Sequence, residues 1–484
     1  MKFIAAITAL VLLSACHGSG TFGSSPGLPA IARSNDFVRI GRQAHPIDKI
    51  DHIVIVVQEN RSFNNLFYGF PGAKTVTYGY DSKGAKITVK PLTLATDWDL
   101  EHNSQGYYAS CNGTGNIPGT DCQMNGFNKE TCSRNGSTIP CPVKDPAYTY
   151  APHSETAPYF SMAKQYVLAD QMYPSNFDNS SYVSHQYIIA AQANQATNYP
   201  EINWGCPGGE TDTVPRIEKK PARHPLSPVV DCFDDTRTLG DELDDKGLTW
   251  SFYAGPLGTL GPHGKTCGTG AGPDYDETGI WSSYQTIKHI CYGKDWDNDV
   301  FTGPPKFLRD INGGMLRNVT WITPYCRDSD HPGCCTPTGQ GKCGPPTGPS
   351  WVASVVNAIG KSPFWKSTAI FIFWDDSGGF FDAEKPGYVD YDGFGIRIPM
   401  IIISPYAKKG WVSHVHYEHG SILKFIENRF DLAPLAASDK RATSPERDSF
   451  NFSQTPRKFV PIKAPSGSDH FLHEPVDPRP ADTG

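Results

Sequence analysis

Two apolar runs, Ile53 to Val57 and Ala369 to Phe373, each lead into a cluster of oxygen-bearing side chains. The first is followed by Glu59-Asn60-Arg61-Ser62-Phe63, the second, after Trp374, by Asp375-Asp376-Ser377-Gly378-Gly379. Continuous apolar runs of this length read as strands buried on both faces. Open α/β sheets bind their ligands outside the carboxyl ends of such strands. The two runs therefore predict one composite site for a hard metal ion and an anionic substrate.

Further apolar runs at Leu248 to Ala254, Val319 to Ile322 and Ile398 to Ile403 read the same way. Helical patterns lie between them. Glu155 to Ala169 places Ala157, Phe160, Ala163 and Val167 near helical spacing. Ser350 is set to cap a helix from Trp351 to Ile359, and Ser421 to Phe430 carries Ile422, Phe425 and Ile426 on one stripe. Strands alternating with helices predict a doubly wound α/β sheet covered on both sides. The 47 glycines and 41 prolines imply long, turn-rich connections.

Lys2, the apolar stretch Phe3 to Leu13 and the closing Leu13-Ser14-Ala15-Cys16 read as a lipoprotein-type signal peptide over 1–16. Cys16 would then carry the lipid anchor to the membrane; the alternative is a plain secretory leader cut near Ala15. Both put the protein outside the cytoplasm. Residues 17–48 read as a flexible tether. Of 13 cysteines, 12 remain without Cys16, an even number suited to disulfides in an oxidising compartment. Cys111, Cys122, Cys132 and Cys141 form one group and Cys326, Cys334, Cys335 and Cys343 another, both in segments poor in apolar residues. They are expected to staple loops, with zinc knuckles as the alternative and the connectivity open. A net charge of -7 without a polybasic stretch argues against nucleic acid as a partner.

Glu59, Asp375 and Asp376 in one pocket would repel one another, and a divalent cation removes that penalty. Adjacent strand residues face opposite ways, so both aspartates reach one site only if the pleat has ended. Gly378-Gly379 supplies the backbone for such a turn. An acidic pair before two glycines is otherwise a solvated turn.

QENRSFNNLFYGFPG (58–72) resembles the ENRSFD-type signature of the bacterial phosphoesterase family, which holds secreted phospholipases C and acid phosphatases related in fold to alkaline phosphatase. FWDDSGGFFD (373–382) resembles its second signature, and DWDLEH (97–102), DHP (330–332), GPSWVASVVNAIG (348–360) and HYEHGSILKFIENRF (416–430) match in order. Asn64 and Ala383 depart from the family pattern. The resemblance implies an alkaline-phosphatase-like α/β/α sandwich with a mostly parallel sheet and disulfide-stapled insertions. It implies a catalytic domain over 49–455 and a Pro-rich tail over 456–484. It also implies a divalent metal ion (Ca, Mg, Mn or Zn) held by Glu59, Asn60, Asp375, Asp376 and Ser181.

By the same resemblance the nucleophile is a hydroxyl in FDNSSYVSHQYIIAAQ (177–192), after a helix ending near Asp170. Ser181 is the expected one, with Ser180 and Ser184 as rivals. His102 and His331 would stabilise phosphoryl oxygens or protonate the leaving group. The implied activity is hydrolysis of phosphate esters through a phosphoserine, of phospholipase C type on phospholipid. The alternatives are an acid phosphatase on monoesters and a surface binding protein that has lost catalysis.

Other patterns carry less. His414, His416 and His419 have metal-like spacing, although His419 is expected to pack beside the site. Ser421 and Lys424 match a serine–lysine hydrolase pattern, but Ser421 more simply opens a helix. Gly268 to Gly272 reads as a loop, and His470 and His473 as solvated. Arg61 either neutralises phosphate or braces the ligand loop.

Overall fold

The computed structural model describes residues 45–176, 180–200, 205–209, 211–218, 223–255, 267, 282–336 and 343–477. The leader with Cys16, the tether up to residue 44 and the glycine-rich stretch 268–272 lie outside the described residues. Among the described residues the central sheet has nine strands: β1 (His52–Gln58), β2 (Val167–Tyr173), β3 (Trp250–Ala254), β4 (Val300–Thr302), β5 (Val319–Ile322), β6 (Thr368–Trp374), β7 (Ile398–Ile403), β8 (Trp411–Ser413) and β9 (Tyr417–Glu418). Their order is β4-β3-β5-β1-β6-β7-β2-β8, with β9 also paired to β2. β7 runs antiparallel to both neighbours and every other pairing is parallel.

Among the described helices that cover the sheet are α1 (His153–Gln165), α2 (Ser181–Ala190), α3 (Gly348–Lys361) and α4 (His419–Phe430). Alternation along β6 shows how. Phe371 and Phe373 meet Phe425 and His419 of α4 at 5.1 and 5.4 Å. Trp374, on the other face, meets Tyr159 of α1 at 5.0 Å. α1 packs on α3, and α2 on α4, which makes the expected three-layer α/β/α sandwich. Trp250, Trp321, Trp351 and Trp374 are fully buried in it; truncating one to Ala would cost about 3–5 kcal/mol.

Several local expectations need correction. The helix over Glu155 to Ala169 stops at Gln165, and Val167–Tyr173 is a fully buried strand, so Asp170 lies mid-strand. Pairing with β7 and β8 overrides the helical spacing of Val167. Thr347, not Ser350, occupies the N-cap of α3, and Ser350 Oγ instead accepts from the Ser466 amide at 3.3 Å. Ser421 lies inside α4, where its hydroxyl accepts from the Glu418 amide at 3.0 Å. After 455 a short helix, Ser468–His473, sets Phe471 against Trp351 at 5.3 Å. His470 and His473 on that helix are exposed.

The twelve described cysteines pair as Cys111–Cys122, Cys132–Cys141, Cys206–Cys232, Cys267–Cys291, Cys326–Cys334 and Cys335–Cys343. That removes the zinc-knuckle alternative. The first two staple an insertion whose own core includes Trp98, Leu100, Tyr107, Phe127, Tyr148 and Phe381.

Candidate active site

The strand register builds the site. β1 and β6 pair in step from His52↔Thr368 to Gln58↔Trp374, so Glu59 and Asp375 leave the sheet side by side. The Asp375 amide donates to Gln58 O at 3.0 Å, and the Glu59 amide to Ser329 O at 2.8 Å. The next residue, Asn60, turns into the left-handed region at φ 55°, a conformation asparagine tolerates better than most residues. Its amide donates to Asp375 Oδ1 at 3.1 Å. Gly378, at φ 59°, presses so close that a Cβ would lie 2.2 Å from Asn60 O. Two ligand loops thus interlock through a glycine, and the pleat ends in time for both aspartates to face inward. Asp376 Oδ1 accepts from the Gly378 amide at 2.7 Å.

Ser181 enters from the middle of the chain as the first residue of α2. Its hydroxyl donates to Asp376 Oδ2 at 3.2 Å and lies 3.4 Å from the Asn60 side-chain amide. A helix amino end favours negative charge there. The rivals are placed otherwise. Ser184 Oγ donates to Asn176 Oδ1 at 3.0 Å, and Ser180 Oγ is buried without a hydrogen-bond partner.

His185, one turn after Ser181 on the same helix face, is a site residue the sequence reading missed. Its Nε2 lies 2.8 Å from Glu59 Oε1 and 3.7 Å from Asp375 Oδ2. The Ser-x-x-x-His spacing was the available signal, readable once 181–190 is taken as helix.

His102 and His331 face each other edge to face, with centroids 5.6 Å apart. Nδ1 of His102 donates to Leu100 O at 2.7 Å, and Nδ1 of His331 lies against Pro332 O. Asp99, also missed, sits 3.6 Å from His102 Nδ1 and 3.9 Å from His331 Nε2.

Asn60 joins the two halves. One end of its side-chain amide lies 2.9 Å from both Glu59 Oε2 and Asp375 Oδ1; the other lies 2.7 Å from His102 Nε2 and 3.1 Å from His331 Nε2. With the nitrogen on the carboxylate side the amide donates to both acids, and its oxygen accepts from Nε2 of both histidines. A cation among the acids would turn the oxygen toward itself instead. Asp375 Oδ2 is buried with no hydrogen-bond partner, so the donor set fits a hard metal ion. Among the described residues, the groups able to surround an ion are Glu59–His185–Asp375 and Asp99–His102–His331.

The Phosphoesterase family profile matches residues 50–433. The chain belongs to the Phosphoesterase family. It is thereby a hydrolase of phosphate esters. Its relatives include the non-hemolytic phospholipase C of Burkholderia pseudomallei, 24% identical, with 93% of this chain and 67% of the relative covered. The non-specific phospholipase C1 of Arabidopsis thaliana is 23% identical over 86% of this chain and 74% of its own length. A solved structure of an alkaline phosphatase superfamily protein from Vibrio parahaemolyticus overlaps 82% of this chain and 71% of its own, at 10% identity and a TM-score of 0.35.

The remaining polar residues of this phosphoesterase brace the site. Arg61 is buried; its Nε donates to Asp330 O and its Nη2 to Leu94 O, both at 2.9 Å, and burial lowers its pKa to about 10. It therefore supports the ligand loop. Asn64 holds the Val76 amide at 2.8 Å, a structural bond. The metal-like spacing of His414, His416 and His419 does not bring the three rings together. His414 Nδ1 pairs with Asp170 at 2.9 Å, His416 stacks on Tyr173 at 4.6 Å, and His419 is buried with neither ring nitrogen hydrogen-bonded. Burial and nearby His185 lower the His419 pKa to about 3, so it stays neutral.

Proposed function

We propose that this phosphoesterase cleaves the phosphodiester of phospholipids in phospholipase C fashion, with Ser181 as nucleophile and a divalent cation held by Glu59, Asn60, Asp375, Asp376 and Ser181. The supporting observation is the position of the Ser181 hydroxyl, 3.2 Å from Asp376 Oδ2 and 3.4 Å from the Asn60 amide, where two acidic strand ends meet. A bound cation there would lower the pKa of the hydroxyl and polarise the phosphoryl oxygens.

The chain's own groups do the rest. Asp376 orients the hydroxyl, and the amino end of α2 favours charge on its oxygen. Ser181 Oγ bonds to phosphorus as the bond to the diacylglycerol oxygen breaks, and its proton passes to Asp376, which accepts its hydrogen bond. A proton from His102 or His331 neutralises that leaving oxygen. Water then attacks the phosphoserine and returns a proton to that histidine, the P–Oγ bond breaks, Ser181 regains its proton from Asp376 and the phosphorylated headgroup departs. Leu100 O and Pro332 O fix the ring orientations that aim Nε2 of both histidines inward.

The phospholipase C relatives support the diester over the monoester. The six disulfides support an extracytoplasmic location, with Cys16 as the proposed anchor. The test compares phosphatidylcholine with an aryl phosphate monoester on wild type and Ser181→Ala. Faster diester turnover, lost in the folded variant by on the order of 10³-fold or more, is expected. Full activity in Ser181→Ala would remove it from the mechanism, and exclusive monoester turnover would make the enzyme an acid phosphatase.

A further inference from the structure

We propose that the hairpin of Tyr78–Tyr80 and Lys86–Thr88 docks the protein onto the anionic surface of a phospholipid bilayer, an inference that rests on the phospholipid reading above. The register pairs Tyr78 with Thr88, Gly79 with Ile87 and Tyr80 with Lys86, so alternation gives the hairpin two faces. Its inner face is Gly79 and Ile87. A Cβ on Gly79 would sit 2.6 Å from the Phe381 ring and 2.9 Å from Tyr148, so only glycine lets the hairpin lie flat. Phe381 closes the ligand loop: its carbonyl accepts from Ser62 Oγ at 2.9 Å. The Tyr148 hydroxyl donates to Tyr80 O at 2.7 Å. The hairpin is therefore fixed to the loops that carry Asn60 and Asp376.

The outer face has another character. Tyr78 and Tyr80 are 38% and 49% exposed, with rings 5.7 Å apart. Lys86 Nζ lies 3.8 Å over the Tyr78 ring. Lys74, Lys83, Lys86 and Lys90 are exposed, and the one acid between Lys74 and Lys90 is Asp81. Its Oδ1 accepts from the amides of Lys83 and Ala85 at 2.8 and 2.7 Å, holding the turn. In a chain of net charge -7 this is a local reversal of sign.

Tyrosine combines an apolar body with a polar tip and settles at headgroup level. Lysines near an anionic leaflet each strengthen partitioning by about fivefold. A second basic aromatic patch supplies an internal control. Trp411 is 42% exposed, with Lys408 Nζ 4.7 Å from its ring. It starts β8 opposite Val167, the first residue of β2, and so lies at the sheet edge away from the ligand loops.

The test uses the full chain carrying Cys16→Ser, so that no acyl anchor contributes. Sedimentation is measured with vesicles of phosphatidylcholine alone and of phosphatidylcholine with phosphatidylserine. Lys83→Glu with Lys86→Glu should weaken binding to the mixed vesicles by about 25-fold or more. Tyr78→Ser with Tyr80→Ser should weaken binding to both vesicle types, while Trp411→Ser changes neither. Turnover of soluble p-nitrophenylphosphorylcholine should be unchanged in all three variants, which also reports folding. Unaltered vesicle binding in the hairpin variants overturns the proposal. So does loss with the lysine but not the tyrosine variant, which would make the patch a general polyanion surface, and so does an equal loss with Trp411→Ser. Hairpin-dependent binding without phospholipid turnover supports docking while refuting the substrate reading.

Discussion

Two buried carboxylate clusters in this protein differ in what stands against them. At Asp328, Glu474 and Asp477 the counter-charge is Arg327. Its Nε lies 3.3 Å from Glu474 Oε2 and 3.7 Å from Asp328 Oδ2, its backbone amide donates to Asp477 Oδ2 at 3.2 Å, and its Nη2 donates to Pro475 O. The surplus negative charge is held as a proton: burial raises the pKa of Asp328, and burial together with Asp328 pushes Glu474 up to about 8. At Glu59, Asp375 and Asp376 the opposing groups are the Asn60 amide, the His185 imidazole and the Ser181 hydroxyl. None of these is a permanent cation. The first cluster is a clasp that fastens the C-terminal segment; the second gathers groups that could hold a metal ion. Residue type and burial are shared, so the fixed guanidinium is what separates structure from chemistry.

Substitutions should split the two clusters. The largest effect is expected from Asp376→Asn, which should reduce turnover by more than about 100-fold, beyond the cost of an outer contact, with little change in melting temperature. Arg327→Met should do the reverse. It strands three acids and should cost about 3 kcal/mol in urea unfolding, with the turnover of the folded fraction retained. If both variants lost activity equally at equal stability, the distinction would fail.

A smaller effect sharpens the role of His185. Replacing it by Ala should weaken metal binding, read by calorimetry, by about 10–100-fold. His185→Gln should recover part of that loss, because an amide can still donate to Glu59 Oε1. Equal losses in both would show that the ring matters for more than holding Glu59.

The smallest effect is a pH dependence of the clasp. The folded-state pKa of Glu474 lies above its ordinary value of 4.5, so the folded protein keeps a proton that the unfolded chain releases. Its contribution is complete below that ordinary value and fades as pH rises toward about 8. Glu474→Gln should flatten this alkaline loss of melting temperature. An unchanged slope would mean that Glu474 does not hold the proton.

The sequence exposed what is locally encoded. β1 and β6 end in acids directly after apolar runs, and local cysteine pairs closed as staples. β2 stayed hidden because its polar centre is satisfied from far away: Asp170 accepts from the Lys74 amide at 2.9 Å and pairs with His414. His185 and Asp99 were missed because their partners lie on other loops. The Arg327 clasp joins a disulfide-bonded turn to the chain's end, which no local pattern announces.

The most direct measurement is an anomalous difference map from crystals grown with the native metal. One peak should lie within about 2.0–2.6 Å of oxygens from Glu59, Asn60, Asp375 and Asp376, beside Ser181 Oγ. An ion bound elsewhere, with these oxygens left facing water, would contradict the account.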